Sequence, residues 1–251
     1  MIFGPTGCAS YLLGCTKAKQ AVVVDALRSL GIEEYLMEAA DRGLQIVHVI
    51  DTHTHADHLS AGLELAQACG ATYWLSDQTK ATVDHQSLTD GAVVQIGEVR
   101  VEALTTPGHT PDSLCLLVTD QSRSDEPWFL LTGDTLFVGD VGRPDLLVGD
   151  RELDVTETAQ RARVLYQSLQ QKIFTLPGYV EIYPGHFGGS ACGGVNMSGK
   201  ASSTLRFEKR YNLAMQQDSE EAFCTFVLQT LRPQPLNFQQ IKRQNLGLVE
   251  V

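Results

Sequence analysis

The chain has 251 residues, of which 43% are hydrophobic and 20% charged, and its formal net charge at pH 7 is −11. This composition is that of an ordinary globular protein and argues against a disordered segment or a coiled coil. The acidic balance argues against a nucleic-acid-binding protein, which usually carries a basic stripe, and it would repel an anionic membrane surface. Length alone allows one large domain or two small ones.

Six cysteines are scattered along the chain without a C-x-x-C pair, namely Cys8, Cys15, Cys69, Cys115, Cys192 and Cys224. That spacing suits neither a zinc ribbon nor a small disulfide framework, so we predict reduced and mostly buried thiols. The N-terminus lacks the basic region and apolar core of a signal peptide. No apolar run approaches the ~18 residues that a membrane span needs. We therefore expect a cytoplasmic protein.

The first part of the chain alternates between strand and helix patterns. Residues 9–30 predict two strands, ASYLLG and QAVVVDAL, joined by a charged turn. Apolar residues recur at helical spacing over 32–42 and 59–69, and a glycine follows each segment. The runs QIVHVI and ATYWLS come after these helices and predict strands. This order predicts a βαβ unit.

Strands dominate the middle of the chain, and helices end it. GAVVQIG and EVRVEALTT predict two strands around a turn at Gly97, and LCLLVTD and PWFLLTGDTLF predict two more around a polar segment at 121–126. Residues 151–171 have helical spacing and precede the strand YVEIYPGH. Helices are then predicted over 204–215 and 219–231, before two closing prolines.

Four apolar strands each lead into a loop that carries metal-ligand side chains. These segments are IVHVIDTHTHADH, VEALTTPGHT, FLLTGDTLF and VEIYPGH, and the loops at their ends hold five of the seven histidines. Loops at strand ends are the usual place for functional residues on a rigid scaffold. Imidazole and carboxylate ligands suit zinc, iron and manganese. The candidate ligands are His53, His55, Asp57, His58, His109, Asp134 and His186.

The string HTHADH, from His53 to His58, resembles the H-x-H-x-D-H signature of the metallo-β-lactamase superfamily. TPGHT, TGDTLF and YPGH are similar to the remaining metal-binding loops of that superfamily and stand in the same order. The resemblance covers the chain from about Tyr11 to Tyr211. It implies an α+β fold, a four-layer αββα sandwich with the metal at one edge. It also implies a single domain over 1–251, of which about 200–251 form a short helical C-terminal extension.

Two branches of the superfamily carry this signature, the glyoxalase II thioester hydrolases and the persulfide dioxygenases. The segment after Asp134 reads GDTLFVGDVGRPDLL, which places Arg143 and Asp145 in a G-R-x-D form. This form is similar to persulfide dioxygenases, whereas glyoxalase II enzymes resemble C-G-K-F-Y-E-G, with lysine in place of Arg143. The later segment GSACGGVNMSGKASST is similar to rhodanese-associated bacterial dioxygenases. We therefore favour the dioxygenase branch.

Resemblance to the dioxygenases implies one Fe(II) per chain, bound by His53, His109 and Asp134. This two-histidine, one-carboxylate triad leaves open positions for O2 and the substrate sulfur. The expected reaction oxidises a low-molecular-weight thiol persulfide with O2 and water to sulfite and free thiol. The four other ligand-type residues would support the metal ligands through hydrogen bonds, and two of them, Asp57 and His58, are the catalytic candidates.

The alternative is a glyoxalase II-like hydrolase of a glutathione thioester with a dinuclear zinc site. In that interpretation the second metal would be completed by His55, Asp57, His58 and His186. A hydroxide between the two metals would attack the thioester carbonyl, because metal coordination lowers the pKa of bound water to ~7. The first motif does not separate the two reactions, since both branches carry it.

Two arginines are candidates for substrate binding. Arg143 would grip a substrate carboxylate through two parallel hydrogen bonds, or it would pair structurally with Asp145 or Asp140. Arg206, in the segment SSTLRFEKR with its predicted N-cap at Ser203 or Thr204, would supply positive charge to an anionic thiol carrier or belong to a solvated basic helix.

Two departures from the family pattern affect the expected substrate and partners. Members that use glutathione resemble H-x-Y after the last histidine, whereas this chain has His186, Phe187 and Gly188. The sequence therefore does not decide whether the thiol carrier is glutathione, coenzyme A or another small thiol. Asp112, after Pro111, replaces a small residue and has no explanation from sequence. The expected partners are the persulfide and O2, without nucleic acid or membrane, and a homodimer is compatible with them.

Overall fold

Two six-stranded mixed sheets form the centre of the computed structural model, which describes residues 1–4, 7–146, 153–235 and 237–249. The first sheet follows chain order and contains β1 (Ile2–Phe3), β2 (Ala9–Cys15), β3 (Gln20–Val24), β4 (Gln45–Ile50), β5 (Thr72–Ser76) and β6 (Gln86–Leu88). The second sheet contains β7 (Val93–Ile96), β8 (Val99–Thr105), β9 (Leu114–Asp120), β10 (Phe129–Gly133), β11 (Glu181–Pro184) and β12 (Ser203–Thr204).

Within these described ranges, the sheets are surrounded by six α-helices: α1 (Ile32–Asp41), α2 (Gly62–Cys69), α3 (Val155–Ser168), α4 (Leu205–Tyr211), α5 (Glu220–Gln229) and α6 (Phe238–Asn245). Polar side chains fix several helix starts. Asp154 and Glu157 form a reciprocal capping box at α3, and the predicted cap Thr204 accepts a hydrogen bond from the backbone N–H of Phe207 at α4. A π-helical turn over Leu169–Ile173 continues α3.

The layers stack as helix, sheet, sheet, helix. Alternating side chains of both sheets, among them Val22 and Leu116, bury a core between the sheets. Helices α1 and α2 cover the outer face of the first sheet, where Tyr35 and Leu65 are fully buried. Helices α3 and α5 cover the second sheet through a third cluster that includes Phe223. The four-layer αββα sandwich is confirmed.

The βαβ prediction is also confirmed. Strands β3 and β4 pair in parallel across α1, and β4 and β5 pair in parallel across α2. Such crossovers place the carboxyl ends of successive parallel strands at one edge of a sheet. In the second sheet β10 and β11 also run in parallel, while β7 to β10 are antiparallel. The loops after β4, β10 and β11 carry the predicted ligands.

Several predicted helix boundaries were wrong because tertiary contacts override the local pattern. The helix predicted from residue 59 begins at Gly62, since the chain at Leu59–Ala61 bonds to the segment after β3. The helix predicted over 204–215 stops before Asn212, whose side chain caps a separate 3₁₀ turn. Residues 151–152 of another predicted helix lie outside the described residues.

Helix α6 is not predicted from the sequence. It follows the two prolines that were expected to end the helical tail. It is mostly polar, with only Phe238 and Lys242 buried, so it lacks the wide apolar stripe that signals a surface helix. The short strands β1 and β6 are likewise unpredicted. Over the part of the chain that the structure describes, no helix has the length and apolar character to cross a bilayer.

Candidate metal centre

Four loops bring the predicted ligands to one edge of the sandwich. The first ligand loop (residues 53–58) follows β4, the second (106–113) joins β8 to β9, the third (134–146) follows β10 and the fourth (185–187) follows β11. The seven predicted ligands, drawn from all four loops, are buried or nearly so. Their convergence follows from the strand order, because β10 and β11 are neighbours and the two sheets face each other.

Three unpartnered atoms point at one another in the middle of this cluster. They are Nε2 of His53, Nε2 of His109 and Oδ2 of Asp134, which have no hydrogen-bond partner among the described residues. Asp134 Oδ2 lies 3.9 Å from His53 Nε2 and 3.5 Å from His109 Nε2. Buried polar atoms are normally hydrogen-bonded, so three of them facing one point fit a metal ion.

Hydrogen bonds fix the ring nitrogens of the two histidines in the form that binds metal. Nδ1 of His109 donates to the backbone carbonyl of Arg143 at 2.9 Å, which leaves Nε2 without a proton. Nδ1 of His53 lies 3.1 Å from the hydroxyl of Thr52, which itself donates to Asp25. Burial lowers the pKa of His109 to about 4 and holds the pKa of His53 well below its ordinary value. Both imidazoles are neutral at neutral pH, as metal binding requires.

His186 orients Asp134 within the triad of His53, His109 and Asp134. Its Nδ1 bonds Asp134 Oδ1 at 2.8 Å and its Nε2 bonds Asp57 Oδ2 at 2.7 Å. Burial alone would lower the pKa of His186, but the two carboxylates raise it well above its ordinary value. The charged ring donates to both carboxylates, and it orients Asp134 so that the free oxygen faces the two other ligands. Partners of this kind set ligand orientation at metal sites.

A second group of ligand-type atoms lies beside the triad. Oδ1 of Asp57, Nε2 of His58 and Nδ1 of His55 also lack partners among the described residues. Asp57 Oδ2 accepts hydrogen bonds from His58 Nδ1 at 3.1 Å and from the thiol of Cys8 at 3.4 Å. Burial would lower the pKa of His58, but Asp57 raises it to about 10. These three unpartnered atoms are of the kinds that bind metal, so they form a candidate second metal site.

Cys8 is a site residue that the sequence patterns do not indicate. None of the six cysteines forms a disulfide bond, and five of them are buried, as predicted. Cys8 is far from the four ligand loops in sequence, yet it lies against Asp57, His58 and His186. It reaches the site because it forms a β-bridge with His186 just before β2. That pairing joins residues far apart in sequence, so no local pattern reveals it.

Asp25 is a further site residue that sequence reasoning missed. It follows β3 directly, is 2% exposed, and has a left-handed backbone with φ of 54°, which costs an ordinary residue roughly 1–2 kcal/mol. Its carboxylate accepts from the backbone N–H of Thr52 at 2.7 Å and bonds His55 Nε2 at 3.0 Å. The signal available in sequence is an acidic residue at the end of the apolar run QAVVV.

Arg143 belongs to the third ligand loop, and its side chain is 1% exposed. Its Nε and Nη2 donate to Asp145 at 2.7 and 2.8 Å. Nη1 donates to the carbonyl of Ala191, and Nη2 also donates to that of Arg232. This geometry favours the structural pairing with Asp145 over a grip on substrate, which stays a prediction. The other anticipated partner, Asp140, bonds the backbone N–H groups of Val141 and Asn196 instead.

The Arg143→Lys variant separates these roles. Lysine cannot reproduce the fork that reaches Asp145 and two carbonyls, so we expect the free energy of unfolding to fall by about 1.5–3 kcal/mol. Urea denaturation of the metal-free protein measures this change. A raised Michaelis constant with unchanged stability and metal content would instead favour direct contact between Arg143 and substrate.

Arg206 is not brought to the metal centre. It lies in α4, where its backbone N–H bonds the carbonyl of Gly178 just before β11. His186 follows the opposite end of β11. Arg206 lines a cleft of about 440 Å³ with Phe174, Lys209 and other residues. A role in binding the thiol carrier stays a prediction, and this placement does not support contact with the reacting atoms.

Comparison with known proteins agrees with the fold. Residues 3–186 match the model of the metallo-beta-lactamase superfamily. The mitochondrial persulfide dioxygenase ETHE1 of Homo sapiens is 30% identical over 242 residues, which cover 94% of this chain and 84% of that protein. The crystal structure of ETHE1 from Myxococcus xanthus has a TM-score of 0.82 at 29% identity and covers 98% of this chain and 97% of that chain.

Hydrolases of the same fold are also similar, over a shorter stretch. The hydroxyacylglutathione hydrolase of Polaromonas sp. (strain JS666) is 30% identical over 181 residues, 70% of this chain and 61% of that protein. The family model matches residues 3–186, and the four-layer sandwich is the fold that the resemblance in sequence implies. The chain belongs to the metallo-β-lactamase superfamily.

Proposed function

We propose that this protein is a non-haem iron(II) persulfide dioxygenase. The substrate is a low-molecular-weight thiol persulfide, and the balanced reaction is RSSH + O2 + H2O → RSH + H2SO3. Persulfide dioxygenase relatives at about 30% identity over most of the chain support this assignment. The G-R-x-D segment after Asp134 supports it independently.

The triad of His53, His109 and Asp134 is the observation that carries the proposal. Two neutral imidazoles and one carboxylate oxygen, each without another partner among the described residues, match the facial donor set of non-haem iron(II) oxygenases. The three side chains are each 3% exposed or less. We infer one Fe(II) per chain at this point.

The bound iron would supply open coordination positions for O2 and the substrate sulfur, and the electrons that activate dioxygen. The side chains of the protein orient the metal donors and transfer protons. His186 holds Asp134 in place, and Thr52 and the carbonyl of Arg143 fix the two imidazoles. We assign Asp57 and His58, hydrogen-bonded at 3.1 Å beside the triad, to proton transfer as the persulfide is consumed.

The identity of the thiol carrier depends on residues around the fourth ligand loop. Gly188 stands where glutathione-using members of the family resemble a tyrosine, so the contact of that tyrosine with the thiol carrier is missing here. We propose that the protein accepts glutathione persulfide, coenzyme A persulfide or another small thiol persulfide. Comparing the specificity constants of the wild-type protein for these carriers would rank them.

A dinuclear zinc hydrolase of a glutathione thioester is the second candidate. Its support is the unpartnered group His55 Nδ1, Asp57 Oδ1 and His58 Nε2, together with the hydroxyacylglutathione hydrolase relative. Against it, both ring nitrogens of His186 are bonded to carboxylates, which suits a supporting residue better than a metal ligand. The G-R-x-D segment also favours the dioxygenase.

Metal analysis separates the two candidates. Protein purified without added zinc is expected to contain about one iron per chain, because the triad offers one three-donor site with open positions. It should release no thiol from S-lactoylglutathione at high enzyme concentration. Two zinc ions per chain, with thiol release from that thioester, would establish the hydrolase instead.

A further inference from the structure

Helix α6 lies against the metal centre along one face. Phe238, Lys242 and Asn245 follow one another at spacings of four and three residues, which places their side chains on the same side of the helix. Phe238 is 5% exposed and packs in one apolar cluster with Ala56 of the first ligand loop. Lys242 is 3% exposed. A helix from the far C-terminus therefore forms part of the wall of the site.

The first ligand loop depends on side chains from elsewhere to hold its backbone. Among the described residues, positions 53–58 make no backbone-to-backbone hydrogen bond. The side-chain amide of Asn245 donates to the carbonyl oxygens of His55 at 2.9 Å and His58 at 2.8 Å. Its oxygen accepts from the backbone N–H of Ser60 at 3.0 Å. Both amide hydrogens and the amide oxygen of Asn245 are thus used on this one turn.

A second link joins the same loop to the same helix face and explains Asp112. The buried carboxylate of Asp112 accepts from the backbone N–H and the hydroxyl of Thr54, at 3.0 and 2.5 Å. Burial would raise the pKa of Asp112, but the Lys242 ammonium and the Thr54 bonds hold it below its ordinary value. The residue that departs from the family pattern therefore connects the first and second ligand loops to α6.

We propose that Asn245 is a positioning residue for the metal centre. By fixing the carbonyl oxygens on both sides of the turn, it holds the backbone from which the first-loop ligands project. The metal then binds without ordering that loop. The inference rests on the metal centre of the proposed function but not on the choice of reaction, since metal binding is measured without persulfide or O2.

Titration of the metal-free protein with Co2+, in competition with a chelator, tests this role. For Asn245→Ala we expect the dissociation constant to rise ~10–100-fold, the usual effect of losing a partner that orients metal ligands. The d–d absorption band of bound Co2+ should also shift as the ligand geometry relaxes. Asn245→Asp should bind still more weakly, because its carboxylate would face two carbonyl oxygens while it keeps the bond to Ser60.

Asn237→Ala is the matched control at the other end of α6. Asn237 is exposed and its side chain makes no capping hydrogen bond, so its Co2+ affinity should equal that of the wild type. If Asn245→Ala fails to fold, Asn245→Asp has the same volume and carries the test. The proposal is overturned if the variants that fold bind Co2+ within twofold of the wild type with an unchanged band, even when their unfolding temperature falls. Equal weakening in Asn237→Ala would overturn it too.

Discussion

Replacing Asp134 with alanine is expected to abolish metal binding and activity together. The change removes the only carboxylate oxygen of the proposed triad and leaves the buried ring of His186 without one of its two acceptors. Loss of an orienting partner alone costs ~10–100-fold in metal affinity, so the loss of a ligand should exceed ~100-fold. Metal content after dialysis and persulfide-dependent O2 uptake, measured on the same preparation, check this result.

Two further variants sharpen the Asp134 experiment. Asp134→Asn keeps the size of the side chain and an acceptor for His186 but removes the charge, and it should also lose the metal. Asp41→Ala changes an exposed aspartate at the end of α1 and should leave metal content and activity as they are. An Asp134→Ala protein that retained metal and full activity would refute the ligand assignment.

The second large effect is expected at Gly142 of the third ligand loop, which packs between the backbone of Asp134 and the side chain of His109. A Cβ on this residue would lie 1.9 Å from the backbone oxygen of Asp134 and 3.1 Å from the Cβ of His109. The neighbour at 1.9 Å is backbone, so it cannot rotate away. We expect Gly142→Ala to lower the free energy of unfolding by about 1–3 kcal/mol and to displace two ligands at once. Urea denaturation and Co2+ titration measure the two effects.

Gly199→Ala is the control for this substitution. A Cβ at Gly199 would meet nothing within 4 Å, and its backbone is outside the left-handed region. Its stability and metal affinity should stay within experimental error of the wild type. If Gly142→Ala behaved like Gly199→Ala, the backbone at Asp134 would be able to move away from the added Cβ, and the predicted steric clash would be wrong.

Most of the fold and the convergence of the proposed metal ligands can be predicted from the sequence because their signals are local. The strand before His53 is a mostly apolar run, and four ligand-type side chains follow it within six residues. His109, Asp134 and His186 each follow a strand in the same way. The βαβ order then places strand ends at one edge, which brings the ligands together.

The remaining site residues could not be predicted because their roles arise from contacts distant in sequence. Asn245 reaches His55 across 190 residues, and α6 itself has too few apolar positions to be recognised. Cys8 enters through a β-bridge to His186. Arg143 was recognised as informative, but only its surroundings show that its donors are engaged by Asp145 and two carbonyls.

The central claim is that the triad serves a persulfide dioxygenase, and an oxygen-electrode assay tests it most directly. Iron-loaded protein is mixed with glutathione persulfide or coenzyme A persulfide while O2 and sulfite are followed together. We predict persulfide-dependent O2 consumption with equimolar sulfite for at least one carrier, and none for Asp134→Ala. Iron-loaded protein that consumed no O2 with either persulfide, yet released thiol from S-lactoylglutathione, would contradict the account.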